Sequence, residues 1–397
     1  MALFSDLPLA PADPILGVTD QYLADPRPFK ANLGVGVYQG PDGKVPLMDC
    51  VREAEARIAS HPQPRSYLPI DGQAGYDAAT CRLVLGDDHP AVTGSAAVTV
   101  QTLGGSGACK VGADFLRGLG ASRVLFSSPT WDNHVAIFGG AGLTPGSYRY
   151  YDPARRGVDL DGMLDDLSAA PAGTVVVLHA CCHNPTGYDL TPGQWERVLD
   201  VVQAGQLTPF VDMAYQGFAV DPDADAYLVR EAARRGLPVL CANSFSKTFG
   251  LYGERVGGLT VVTADADEAA RVLSQVKLKV RWNYSSPPTH GAQIVSLVLG
   301  DDELRARWLG EVAGMRDRIK AMRVALADGL AAAGVADVGY ITAQRGMFSY
   351  SGLDVDQMRR LRDEFAVYGT DNGRLCVAAL NEGNLPHVIA ALAAVMG

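Results

Sequence analysis

From about residue 96 onward, short β-branched or apolar runs alternate with helical stretches. This alternation constrains the fold more than any other feature of the chain. The runs fall at 96–102, 123–127, 174–180, 208–213, 237–242 and 259–263. Strands that recur between helices predict an α/β architecture, with a mostly parallel sheet covered on both faces. Further on, Leu304, Trp308, Val312, Met315, Ile319, Met322, Leu326 and Leu330 step by four or three, one apolar stripe on a single long helix that Gly334 ends. At ~30 residues such a helix exceeds the usual globular length, so it is expected to run from one folding unit into the next. Short strands at 346–350 and 374–379 and helices at 355–365 and 384–395 then predict a smaller α+β unit. The first 30 residues, with Pro8, Pro11, Pro14, Pro26 and Pro28, read as an extended arm leading into a short helix.

Composition narrows the partners. The chain has 397 residues, enough for two or three units at ~150 residues each. Its 48% apolar and 20% charged content argues against disorder. A net charge of −10 makes nucleic acid and anionic membrane unfavourable partners. No apolar run approaches the ~20 residues that span a bilayer. No basic residue precedes Arg27, so the basic start of a secretory signal is missing. The seven cysteines (50, 81, 109, 181, 182, 241 and 376) form no CxxC pair and no zinc-type spacing, which points to reduced thiols in the cytoplasm and to no metal.

Open α/β sheets bind ligands where their strands end. After 96–102 comes Leu103-Gly104-Gly105-Ser106-Gly107, opening a helix. Free backbone N–H groups there suit a phosphate, although a plain tight turn has the same pattern. After 174–180 comes Asn184-Pro185-Thr186-Gly187, which makes a turn by itself. The 208–213 run carries Asp212, costly to bury without a cation or donors, and a structural salt bridge would suffice. After 237–242, Lys247 stands among hydroxyls and aromatics. A desolvated lysine has a lowered pKa and can attack a carbonyl, whereas a lone lysine is ordinarily solvated surface.

The ordered set is more telling than its members. A pyridine-aldehyde phosphate needs a lysine for its Schiff base, a carboxylate opposite its ring nitrogen and donors for its phosphate. A nicotinamide enzyme would leave Lys247 and Asp212 without roles, and the chain lacks its glycine fingerprint.

Asn184-Pro185-Thr186-Gly187, Asp212-x-x-Tyr215, Ser244-x-Ser246-Lys247 and Gly253-Glu254-Arg255-Val256-Gly257 together resemble the class I, fold type I aminotransferases that use pyridoxal 5'-phosphate, in the branch of aspartate and aromatic-amino-acid aminotransferases. The likeness runs from Asp13-Pro14-Ile15-Leu16 to Arg374. It implies an N-terminal arm over 1–14, a small domain from 15–44 plus 315–397, and a large cofactor-binding domain over 45–314 with a seven-stranded type of sheet.

By the same resemblance, Lys247 holds the cofactor and shuttles the proton, and Asp212, backed by His134, pairs with the pyridinium nitrogen. Asn184 and Tyr215 bond the ring's phenolate oxygen, and Trp131 stacks on the ring. Gly105, Ser106, Ser244 and Arg255 bind phosphate, and Tyr67 reaches it from a neighbouring subunit, which implies a homodimer with shared active sites. Arg374 clamps the substrate α-carboxylate, Arg281 of the other subunit meets a side-chain carboxylate, and Val35 and Gly36 cover the substrate. Asn184 and Trp131 also border the substrate.

Gln101-Thr102-Leu103-Gly104-Gly105-Ser106-Gly107, Trp131-Asp132-Asn133-His134-Val135-Ala136 and Met347-Phe348-Ser349-Tyr350 look closer to the aromatic branch. The expected reaction is therefore transamination of tyrosine, phenylalanine and, as a further candidate, tryptophan with 2-oxoglutarate, with side activity on aspartate. Aspartate aminotransferase is the alternative. One departure stands out: Thr370-Asp371-Asn372-Gly373 precedes Arg374 where the family usually has apolar residues and then Ser-Gly, and Ala379 replaces a usual glycine. Asp371 either weakens the carboxylate clamp or points to solvent.

Other classes make different demands. A β-lyase or decarboxylase would keep the cofactor and need no keto-acid acceptor. An aminotransferase-like regulator domain would call for a basic DNA-binding segment, which this acidic chain does not show.

Overall fold

A computed structural model describes residues 4–10, 13 and 16–397, so the arm prolines 11 and 14 and Ile15 lie outside the described residues. A seven-stranded sheet organises the molecule. Its strands are β1 (Ala97–Leu103), β2 (Arg123–Ser128), β3 (Thr144–Arg149), β4 (Val175–His179), β5 (Thr208–Met213), β6 (Val239–Ser244) and β7 (Val256–Val262). They lie in the order β1-β7-β6-β5-β4-β2-β3, and only β7 runs antiparallel to its neighbours.

Alternation along each strand explains how both faces are covered. Val175 and Val177 join one apolar layer with Phe115, Phe138 and Val276, whereas Val176 and Leu178 join the opposite layer with Met163, Trp195 and Leu228. Successive side chains point to opposite faces, so a strand buried on both sides must be apolar throughout.

Sequence reading differs from the structure in detail. The strand at 237–242 is Val239–Ser244, which brings Lys247 closer to the strand end, and that at 259–263 begins earlier, at Val256. The β3 strand was not among the expected runs. It reads Thr144-Pro145-Gly146-Ser147-Tyr148-Arg149, with two residues that ordinarily break strands, and it is tolerated because it lies at the sheet edge. The 374–379 run is a strand only over Arg374–Cys376 and closes as a 3-10 turn, Val377–Ala379.

The long helix is Asp302–Ala332, 31 residues, with Gly334 just beyond it at φ +87°. Its stripe packs into a third apolar layer that includes Leu33, Phe348, Leu375 and Val388. Two small ladders join that layer: Ala31–Asn32 runs parallel to Val367–Tyr368, and Phe348–Tyr350 runs antiparallel to Arg374–Cys376. Trp308 is 1% exposed, stacks on Phe249 and donates its indole N–H to the Thr248 carbonyl at 2.8 Å. Trp308→Ala is expected to cost about 3–5 kcal/mol in urea unfolding, through the cavity it leaves and the orphaned carbonyl beside Lys247. Among the described residues, no helix is long and apolar enough to cross a membrane.

Candidate active site

Six strands end on one sheet edge, and the antiparallel β7 begins there. Antiparallel pairing sets Val256 opposite Leu103 and Gly257 opposite Ser244. Arg255, which precedes β7, therefore arrives beside the loop that follows β1. A cavity of about 340 Å³ lies at this edge. It is lined by Gly36, Gly105, Ser106, Trp131, Asn184, Asp212, Tyr215, Ser244, Lys247, Arg255 and Arg374, all singled out in the sequence.

One end of the cavity is built for an anion. Gly104 opens the Gly104–Gly118 helix at φ +67°, so the first-turn N–H groups of Gly105 and Ser106 have no partner within the helix. Gly257 must be glycine, because a Cβ there would come within 2.5 Å of the Gly104 carbonyl carbon. Arg255 holds a left-handed backbone, φ +54°, and its Nη1 donates to the Tyr252 carbonyl at 3.0 Å, which braces the guanidinium beside Ser244 and Ser246.

Asp212 lies at the other end and accepts from His134 Nε2 at 2.9 Å. The proton order behind it follows from one backbone donor. Asn184 N–H donates to His179 Nδ1 at 3.2 Å, so His179, pushed down to about 3 by burial and by His134, carries its proton on Nε2. That N–H donates to Thr130 Oγ1, whose own hydrogen goes to His134 Nδ1 at 3.0 Å, leaving His134 Nε2–H to face Asp212. Burial pushes the Asp212 carboxyl up, but the His134 hydrogen bond and the facing charges, Lys247 among them, outweigh it and hold it below the ordinary carboxylate value. Asp212 is thus a fixed anion at the cavity wall.

Cys109 also approaches this pair, and the three groups place one ligand atom each within 4.8 Å of one another. This grouping is invisible in the spacing. Three ligands with two already bonded to each other make a poor metal set, and the chain above gives His134 a complete set of partners.

Lys247 faces the Tyr215 ring, its Nζ 5.1 Å from the ring centroid. Desolvation by the walls lowers its pKa to about 8, against the counter-pull of Asp212, with Arg255 and Arg374 adding to the lowering. The amine is therefore partly neutral near physiological pH. Burial pushes the Tyr215 phenol well up, so it is a neutral donor. Trp131 caps the helix Asp132–Gly140 and meets the His134 ring edge-on at 5.1 Å.

Arg374 donates from Nη1 to Asn184 Oδ1 at 3.0 Å and from Nη2 to the Gly34 carbonyl at 2.7 Å, and lies 4.2 Å above the Phe348 ring. Its buried Nε has no acceptor, so the fork keeps donors for a carboxylate. Asp371 does not intrude: it pairs with Arg362 at 3.1 Å, while Asn372 Oδ1 accepts from the Arg374 N–H at 3.3 Å. Gly36 packs against the ring of Phe348, where a Cβ would come within 2.7 Å of it.

Two residues singled out in the sequence stay outside. Tyr67 is 95% exposed, and Arg281, which bonds Ser285 Oγ, is also exposed, next to Trp282 at 70%. Conversely, sequence reasoning missed Tyr252, whose hydroxyl accepts from the Tyr38 N–H at 2.8 Å, and the His179–Thr130 relay. Tyr252 directly precedes the Gly253-Glu254-Arg255 motif, a signal that could have found it. Nothing in the spacing could have found the relay.

Comparison with known proteins gives the family. Residues 29–392 match the family "Aminotransferase class I and II". The chain is 52% identical to an aspartate aminotransferase of Pseudomonas aeruginosa over 100% of both chains. It is 50% identical to an aromatic-amino-acid aminotransferase of Escherichia coli, over 99% of this chain and 100% of that one. A crystal structure of an aromatic-amino-acid aminotransferase from Burkholderia pseudomallei, covalently bound to pyridoxal phosphate, superposes with a TM-score of 0.97 at 55% identity over 100% of both chains.

Proposed function

We infer the reaction from the family: this chain belongs to the class I and II aminotransferases, enzymes that move an amino group from an amino acid to a 2-oxo acid, and its cofactor is pyridoxal phosphate. The observation that carries the inference is Lys247, partly neutral near physiological pH, in one cavity with an ionised Asp212 and an Arg374 that keeps free donors.

These residues fit the group. Gly105, Ser106, Ser244 and Arg255 would hold its phosphate, Asp212 would pair with its ring nitrogen, Asn184 and Tyr215 would donate to its ring oxygen, and Trp131 would cover the ring. When bound, the cofactor supplies an aldehyde for the amine and an electron sink for the carbanion at substrate Cα. Lys247 provides the amine and then moves the proton from Cα. Its lowered pKa keeps enough neutral base present to accept that proton. Asp212, held ionised by the His134 relay, would keep the ring nitrogen protonated. Arg374 grips the α-carboxylate with a planar fork and so sets which Cα–H bond faces Lys247.

For substrate we favour aromatic L-amino acids with 2-oxoglutarate, and aspartate as a second donor. Trp131, Tyr215 and Phe348 wall the cavity beside Arg374, which suits a flat apolar side chain. Aspartate as principal donor is the second reading, supported by the name of the Pseudomonas relative. An absorbance titration of the cofactor-loaded protein, without keto acid, separates them. Conversion to the pyridoxamine form at lower phenylalanine than aspartate is expected, and conversion by aspartate alone would reverse the preference.

Tyr67 and Arg281 support a homodimer in which each subunit completes the other's site: both are exposed and outside their own cavity. Lys247→Ala and Tyr67→Ala proteins, each nearly inactive, should recover up to about a quarter of wild-type activity when mixed, because half the dimers then hold one intact site. Mixing without recovery would place each site within one chain. On this reading the small unit is 15–44 plus 315–397, the large one 45–314 and the arm 1–14. Seven free thiols agree with a cytoplasmic enzyme.

A further inference from the structure

Arg316, Lys320 and Arg323 follow one another at i, i+4 and i+7 on the long helix, and so share one face. With Arg345, from the turn after the short helix Tyr340–Ala343, they line a second cavity of about 410 Å³. No residue of this cavity belongs to the catalytic one, and no carboxylate lines it. Four cations around one concavity repel one another, in a chain whose net charge is −10.

Local compensation is slight. Arg316 Nε reaches Asp317 at 3.3 Å, and that carboxylate is mostly exposed to water. Asp189, which Arg345 faces electrostatically, already accepts from the N–H groups of Cys182 and His183. Among the described residues, the side chains of Lys320 and Arg345 have neither a hydrogen bond nor an ion pair. Arg323 is 2% exposed. Its fork donates to the carbonyls of Ile341 (3.0 Å), Gly346 (2.8 Å) and Phe348, while its buried Nε has no acceptor.

A solvated lysine on a helix face needs no ligand. A buried arginine with a spare donor, three further cations and an apolar mouth formed by Val220 and Val324 makes a different kind of surface. We propose that this pocket binds a small oxyanion carrying two or more negative charges, of the phosphate or pyrophosphate kind. Carbonyls of Gly346 and Phe348 hang on the Arg323 fork, so the anion site shares a wall with the substrate cavity.

The test is calorimetric titration of inorganic pyrophosphate into the cofactor-loaded protein at constant ionic strength, which keeps the phosphate end beside Arg255 filled. The expected result is saturable binding of one pyrophosphate per chain, weakened about tenfold or more in Lys320→Gln/Arg345→Gln with transamination unchanged. Both side chains are exposed, so the variant should fold, and a Lys320→Gln protein should fall between the two. Absence of saturable heat, or equal affinity in the double variant, would overturn the proposal.

Discussion

Lys247→Ala is expected to lower turnover by at least about ten-thousand-fold, while the protein still folds and still takes up cofactor non-covalently. Removing the side chain deletes the amine proposed to bond the cofactor and to move the Cα proton, but leaves Arg255, Ser106, Ser244 and Asp212 in place. The same residue sets a pH dependence. Its pKa lies near 8 instead of the usual 10.5, because the cavity walls disfavour the charged form. The neutral amine is the reactive species, so covalent capture of cofactor by the unloaded protein should rise with pH and level off above about 8. An unshifted lysine would be about a hundred-fold or more slower at neutral pH and would keep accelerating towards 10.5. Wild-type turnover in the alanine protein would remove Lys247 from the chemistry.

Arg374→Ala carries the second large effect. A buried guanidinium that grips a carboxylate is worth about 3 kcal/mol or more when one partner is deleted, so kcat/KM should fall at least about a hundred-fold. KM should rise for amino donor and keto acceptor alike, since both present an α-carboxylate. Cofactor affinity should move far less, because the residues proposed to hold the cofactor, Arg255, Ser106, Ser244 and Asp212, are left in place. Arg374→Lys keeps the charge and loses the planar fork, and should recover only part of the loss. Unchanged KM values in the alanine variant would assign the carboxylate to another group.

Much of this was legible in the sequence because strand ends converge. Once the runs at 174–180, 208–213 and 237–242 are placed in one sheet, Asn184, Asp212 and Lys247 must share an edge. Arg255 was found by resemblance alone. Its physical reason is the antiparallel β7, whose beginning lies where the other strands end. The edge strand Thr144–Arg149 stayed hidden behind Pro145 and Gly146, since only its place at the margin makes those residues tolerable. The relay from Asn184 N–H through His179, Thr130 and His134 to Asp212 joins residues from three separated segments, and no local pattern encodes it. Asp371 shows the reverse case: an acid three positions from Arg374 reads as able to disturb the clamp, and its pairing with Arg362 turns it away. The roles proposed for Tyr67 and Arg281 need a second subunit, which neither one sequence nor one chain displays.

The most direct measurement is product accounting in a single half-reaction. Cofactor-loaded protein is mixed with excess phenylalanine in the absence of any keto acid, and the keto acid, ammonia and carbon dioxide released are counted per site. The account predicts one equivalent of phenylpyruvate per site, full conversion of the cofactor to its pyridoxamine form, and neither ammonia nor carbon dioxide. Continued release of ammonia or carbon dioxide without an acceptor would contradict it, because the bond broken would then belong to a lyase or decarboxylase and not to a transaminase.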